Sequence, residues 1–128
     1  MPAFLISSDI YRTTQYGGKH PLNIPRVGPT LDLIKAMSWY SDTRFVNAPI
    51  ARPSLLEKFH SKDYIKVLQE VDEKQKIDEY RSKKYNLGTP SNPLFKGMYK
   101  RPATSVGGAV VAAEYAFLYG RAFNLGGG

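Results

Sequence analysis

Cysteine is absent from the 128 residues, and histidine occurs only twice, at His20 and His60. Without thiols there is no disulfide framework, no thiolate metal site and no cysteine nucleophile. A metal would have to be held by histidine, aspartate or glutamate, and two histidines cannot build a histidine-rich centre. Long apolar runs are missing too: nothing approaches the roughly 18 consecutive apolar residues of a membrane span. The start, MPAFLISSDIYRTT, has no basic stretch ahead of its short apolar run, so it does not read as a secretory leader. The expectation is a cytoplasmic protein without membrane attachment.

What is present is a chain 42% hydrophobic, close to the commonest domain size, with 18 Lys and Arg against 11 Asp and Glu. The surplus is unevenly placed. Between Arg81 and Arg101 stand Lys83, Lys84, Lys96 and Lys100 and no acidic residue. One reading is a solvated loop whose counter-charges lie elsewhere in a larger molecule; the other is an anion or nucleic-acid footprint.

The pattern along the chain alternates strand and helix. Residues 3–8 form a short apolar run suited to a buried strand, followed by a long stretch to residue 28 with too many breakers for regular structure. A helix is expected over 29–40, opened by Pro29, with Leu31, Leu33, Ile34 and Met37 forming a wide apolar face. A second strand covers 44–48. Ser54 and Glu57 have the spacing of a capping box for a short helix, and Ser61 with Asp63 opens another whose stripe is Tyr64, Val67, Leu68 and Val71. Residues 76–101 read as irregular around the turn-forming 88–93. A last helix begins near Pro102 and ends before Gly120, with Val106, Val110, Ala113 and Phe117 on one face. Gly107, Gly108 and Ala112 beside them allow close approach of a neighbour. A third strand, 122–125, runs into Gly126, Gly127 and Gly128, as where backbone nears a ligand or turns sharply. This order argues for an α/β fold with a parallel sheet. Three short strands leave a sheet edge bare, which implies either further sequence or a homo-oligomer paired through that edge.

Several motifs are set aside. The glycines match neither a dinucleotide fingerprint nor a phosphate-binding loop. His60 reads as a packing or capping residue, and Asp9 as a turn former. Nine tyrosines beside basic residues could stack on single-stranded nucleic acid, but no RNA-binding module accompanies them, and nucleic acid is an unfavoured partner.

Four segments taken in order carry a resemblance. They are Tyr16-Gly17-Gly18-Lys19-His20-Pro21-Leu22 with Pro25-Arg26-Val27; Phe59-His60-Ser61-Lys62-Asp63-Tyr64-Ile65; Tyr85-Asn86-Leu87-Gly88-Thr89 with Asn92-Pro93 and Gly97-Met98-Tyr99; and Gly107-Gly108 followed by Ala122-Phe123-Asn124-Leu125-Gly126-Gly127-Gly128. Together they resemble the amino-terminal part of the histone deacetylase and acetoin-utilisation deacetylase superfamily. The resemblance implies an arginase/deacetylase-type parallel sheet flanked by helices, incomplete in this chain, with residues 1–128 the amino-terminal portion of a deacetylase domain. It implies metal-assisted hydrolysis of acetyl-lysine or another acetylated amine, in which zinc polarises the carbonyl and activates water. The family's catalytic histidine pair and its metal ligands have no counterparts here, so zinc is expected in a full-length member and not on this chain, and the chain by itself is expected to be inactive.

By the same resemblance Tyr16 and Arg26 match positions of an internal cavity, where a permanent guanidinium suits a product acetate. The alternative for Arg26 is a local carboxylate or carbonyl that it ties to the long loop. Pro21 and Gly126, Gly127 and Gly128 match positions beside the substrate tunnel, with plain turns as the alternative. Many members carry a rim acid that holds the substrate backbone; Pro90, Ser91 and Asn92 stand there instead, and a hydroxyl or amide binds less strongly than a carboxylate. That shift makes a small acetylated amine or an unusual peptide more plausible. The reading from a different class is a non-catalytic basic module that binds nucleic acid or another polyanion through residues 81–101.

Overall fold

The computed structural model describes residues 3–17 and 19–127. Gly18 and Gly128 therefore lie outside the described residues.

Three parallel strands form one sheet, in the order β2 (Phe45–Asn47), β1 (Phe4–Ser7), β3 (Ala122–Asn124). Leu5 pairs with Phe45 on one side and with Phe123 on the other. The centre of the sheet is its most buried strand, with Leu5, Ile6 and Ser7 inside. Parallel pairing demands crossovers, and helices supply them. After β1 come α1 (Ile10–Thr13), a 3-10 turn at Pro21–Asn23 and α2 (Val27–Ala36); after β2 come α3 (Pro53–Leu56), α4 (Lys62–Lys74), α5 (Glu79–Tyr85) and α6 (Lys100–Tyr119). No helix among the described residues is long and apolar enough to cross a membrane.

Several boundaries differ from the sequence expectation for identifiable reasons. The stretch after β1 contains a helical turn, α1, because the Asp9 carbonyl accepts from the amides of Arg12 and Thr13 at 2.9 and 3.2 Å. Helix α2 starts two residues before Pro29, which still sits in the first turn, where its missing N–H costs nothing. Of the face expected for α2, only Leu31 is fully buried; Leu33 and Met37 are more than half exposed. The capping box at Ser54 does not form. Arg52 is the N-cap and Pro53 takes the first helical position, which puts Ser54 inside the helix where it cannot cap. By contrast, the Ser61 hydroxyl accepts from the Tyr64 amide at 3.2 Å and starts α4.

Residues 76–101 are not wholly irregular, since α5 lies within them. Asp78 caps it by accepting from the Arg81 amide at 2.9 Å, and Asn86 closes it in the left-handed region. Its side-chain support is ionic: Lys83 pairs with Glu79 one turn away at 2.7 Å, and Arg81 reaches both Asp78 and Glu70. The counter-charges for Arg81 and Lys83 are thus immediately upstream, not in a larger molecule.

Helix α6 is the longest element, and its start is held from a distance. The buried Asp72 carboxylate accepts from the amides of Gly97, Tyr99 and Lys100 at 2.6, 3.1 and 3.3 Å, meeting donors that a helix start leaves unpaired. Gly107 lets the helix approach the loop after β2 so closely that a Cβ would fall on the Pro49 carbonyl oxygen. Two apolar clusters flank this junction. One is Val67, Val71, Leu87, Phe95 and Met98; the other is Ala51, Leu56, Ile65 and Ala103, with Val106 against it. Farther along the same face of α6, Phe117 is 90% exposed.

Candidate active-site cleft

Elements ending at the carboxyl edge of the sheet converge on one cleft of about 380 Å³. In open α/β sheets this edge is where ligands bind, because loops there are free to diverge from packed strands. The segment after β1 contributes Tyr11 and Tyr16, the entry to α2 contributes Arg26, the start of α6 contributes Arg101 and Ser105, and the turn after β3 contributes Gly126. Tyr16, Arg26 and Gly126, singled out from the sequence in separate segments, are brought together here.

The inner wall is a hydrogen-bonded chain. Buried Tyr11 places its hydroxyl 3.3 Å from Ser105 Oγ, and that hydroxyl donates to the Gly126 carbonyl at 3.1 Å. Asn124 donates from Nδ2 to the Ser105 carbonyl at 3.1 Å and accepts from the Gly126 amide at 3.3 Å. Glycine at 126 is a steric requirement, since a Cβ would run into the Tyr11 hydroxyl. Arg101 spans the floor. Its Nη1 donates to the carbonyls of Thr14 at 2.8 Å and Tyr11 at 3.3 Å, and its guanidinium lies 5.2 Å from the Tyr11 ring centre. Tying the long segment to backbone carbonyls, offered above as an alternative for Arg26, is therefore the work of Arg101. Among the described residues Arg26 forms no ion pair, whereas Arg12 holds Asp32 through two hydrogen bonds of 3.0 and 2.6 Å and thereby joins α1 to α2.

The other sequence candidates lie outside this cleft. Pro21 is exposed at the first position of its 3-10 turn. Pro90 and Ser91 form the tip of a tight turn closed by the amide–carbonyl exchange of Thr89 and Asn92, and Asn92 spends its side-chain Nδ2 on the Asn86 carbonyl at 2.8 Å. Asn92 also borders a second depression of about 260 Å³, shared with Tyr16, His60 and Tyr64, where burial pushes the Tyr64 phenol above its usual range. His20 links the two rims: it stacks on Tyr16, accepts from the Leu22 amide at 3.1 Å and approaches the Ser91 carbonyl at 3.4 Å. Gly127 adopts a positive φ of 73° beside the cleft, and Gly128 lies outside the described residues.

Sequence reasoning missed Tyr11, Arg101, Ser105 and Asn124. For Arg101 the available signal was its place at a helix start about one turn ahead of Ser105. The basic stretch is also dispersed: Arg81 and Lys83 are paired, Lys84 lies over the rings of Tyr80 and Tyr85, and Arg101 turns into the cleft.

A zinc ion finds no fit in this donor set. Among the described residues no three of histidine, aspartate and glutamate converge as a metal requires. Both ring nitrogens of His20 face backbone groups, His60 packs between Phe59 and Tyr64, and Asp72 is committed to three amides.

Residues 20–128 match the histone deacetylase domain family. The chain belongs to the histone deacetylase family. Similar members include the acetoin utilization protein AcuC of Bacillus subtilis, 33% identical over 126 residues, and that of Staphylococcus aureus, 31% identical over the same length. Each alignment takes in 96% of this chain and 32% of the relative, so the chain spans about a third of the length of the curated relatives it matches. Among solved structures, an HDAC homolog from Aquifex aeolicus superimposes with a TM-score of 0.92 at 33% identity, covering all of this chain and 34% of that one. The same values hold for an HDAC homolog complexed with SAHA. The three parallel strands and their flanking helices are thus a part of the histone deacetylase fold.

Proposed function

We propose that this chain is the amino-terminal portion of a cytoplasmic zinc-dependent deacetylase that hydrolyses acetyl-lysine or another acetylated amine, and that it supplies the product side of the site without the reactive centre. The observation that carries this reading is the convergence of Tyr16, Arg26 and Gly126 on one cleft at the carboxyl edge of a parallel sheet. Hydrolysis of an acetylated amine leaves a carboxylate, and a guanidinium is the group best matched to it in shape and charge. Arg26 would hold that product, the rings of Tyr11 and Tyr16 would exclude bulk water from its flank, and the Ser105–Gly126 contact would keep the inner wall fixed.

Zinc would be supplied with ligands from sequence this chain does not contain, because among the described residues no three of its histidines and carboxylates converge. No bond-breaking step is therefore assigned to residues 1–128. The expected behaviour of the purified chain is no release of acetate from an acetyl-lysine peptide and no stoichiometric zinc by elemental analysis. It should still bind acetate weakly, in a manner lost in Arg26→Gln. Turnover by the isolated chain would overturn the proposal, as would acetate binding indifferent to Arg26. Small acetylated amines and peptides are separated as substrates by comparing them in an assembled enzyme, where the Pro90-Ser91-Asn92 turn is expected to favour the small amine.

A further inference from the structure

We propose that the cleft takes a short dicarboxylate, with Arg101 as its second anion-binding residue. This rests on the reading of the cleft as a carboxylate site and names its ligand more narrowly. Arg26 and Arg101 both line one cleft, and no aspartate or glutamate lines it with them. Arginine carries a permanent charge, and two such residues on one cleft with no carboxylate beside them favour an anionic ligand. Among the described residues neither arginine has a carboxylate partner, although Arg12 and Arg81 both do.

Arg101 is also held in readiness. Only its Nη1 is spent on the Tyr11 and Thr14 carbonyls, and the guanidinium lies beside the rings of Tyr11 and Tyr16, 5.2 and 6.0 Å from their centres. The Nε and Nη2 donors have no protein acceptor among the described residues, and a fork already fixed in place loses little entropy when it binds. Acetate neutralises one of the two charges and fills little of a 380 Å³ cleft, which has room for on the order of ten water volumes. A dicarboxylate of malonate to glutarate length supplies both charges. Its methylene spacer can lie on the apolar wall made by Leu22, Ile24 and Pro25. Asn23 also lines this cleft, and its Oδ1 is buried without a hydrogen-bond partner among the described residues.

The test is a calorimetric or NMR titration of the full chain with acetate, succinate and sulfate at matched ionic strength. Succinate is expected to bind at least about tenfold more tightly than acetate, the gain from one further charge-assisted contact. Arg101→Gln should bring the two to within about twofold, whereas Arg26→Gln should weaken both. Equal binding of acetate and succinate to the unsubstituted chain would overturn the dicarboxylate assignment and leave the carboxylate cleft standing. No binding of either to a folded chain would overturn both. Sulfate binding as tightly as succinate, and unchanged by either substitution, would reduce the site to general charge attraction and also overturn it. Because Arg101 braces two carbonyls, its Gln variant could lose the fold. The arginine Nε–Hε signals of the unsubstituted chain then decide, and succinate that shifts Arg26 while leaving Arg101 unmoved refutes the proposal.

Discussion

The two halves of α6 differ sharply in burial. In the amino-terminal half Ala103, Thr104, Gly107 and Gly108 are buried, the entry is capped by Asp72, and the side chains of Arg101 and Ser105 build the cleft. In the carboxyl-terminal half Phe117, Leu118 and Tyr119 are all exposed, and contact is limited to the inner side, where Tyr115 and Tyr119 meet Phe4. The same helix is a precise support at one end and an apolar surface with little over it at the other. Only the packed half can hold a site to the tolerance that recognition needs, because its buried residues and the Asp72 cap fix its position.

The contrast is broken most severely at the cap. Asp72→Asn keeps the volume but turns one oxygen into a donor that faces backbone donors. The expected loss is about 3 kcal/mol, the scale of hydrogen bonds to a buried charged group. Urea denaturation followed by circular dichroism measures it. A change below about 0.5 kcal/mol, the scatter of neutral surface substitutions, would show that α6 does not depend on this carboxylate.

Gly107→Ala sets two effects against each other. Alanine favours a helix interior by about 1 kcal/mol over glycine. The new Cβ meets the Pro49 carbonyl oxygen, however, and a backbone atom cannot rotate aside as a side chain can. Overpacking of this kind costs up to about 3 kcal/mol, so the clash wins by about 2 kcal/mol. A fall in melting temperature of about 8 °C is the expected readout, and a rise would mean that the helix and the loop after β2 are free to separate.

Acid should loosen the cleft side before α6 itself. The Arg12 guanidinium, through its hydrogen bonds first and its charge second, holds the Asp32 carboxyl below its ordinary value. At the cap of α5 the Arg81 amide, then its side chain, does the same for Asp78. A carboxylate whose folded pKa is depressed adds stability that is complete above its unfolded pKa and is lost as pH falls through the folded one. The loss therefore develops below about pH 4, the unfolded aspartate range. It is modest, because both carboxylates face solvent and are screened. Amide exchange measured at stepped pH should accelerate first in residues 9–36 and 78–85. Asp32→Asn should remove the acid dependence in the former and leave that in the latter.

How much of this was legible depends on how far apart the partners are in sequence. The strands and α4 announce themselves through local runs, a stripe and the Ser61 cap, all within a few residues. Helix α5 is silent to the same reasoning because it is stabilised by ion pairs, and charge without an apolar stripe reads as loop. The link from Asp72 to residues 97–100 crosses 25 residues or more and leaves no local mark. Arg101 stood among six like cations, and only the path of the backbone decides which of them turns inward. The cleft was half legible for this reason. The family motif carries Tyr16, Arg26 and Gly126, while the residues that position them were chosen by three-dimensional contact.

The smallest effect expected is at Phe117, and its smallness is informative. Val106 and Phe117 share a face of α6 about three turns apart. Val106 packs against the Ala51, Leu56, Ile65 and Ala103 cluster, whereas Phe117 keeps 90% of its surface. Val106→Ala should cost about 1 kcal/mol, since removing packed methyl groups loses both transfer energy and contacts. Phe117→Ser should change the monomer by no more than about 0.5 kcal/mol, because in the isolated chain nothing rests on that ring. A larger loss at Phe117, growing with protein concentration, would mean that a second polypeptide covers the surface. A copy of this chain paired at the bare edge of β3 would give that result together with a doubled mass in sedimentation equilibrium. If the loss appears only when the remainder of a deacetylase is supplied as a separate polypeptide, the exposed half of α6 is the seam at which the rest of the fold docks.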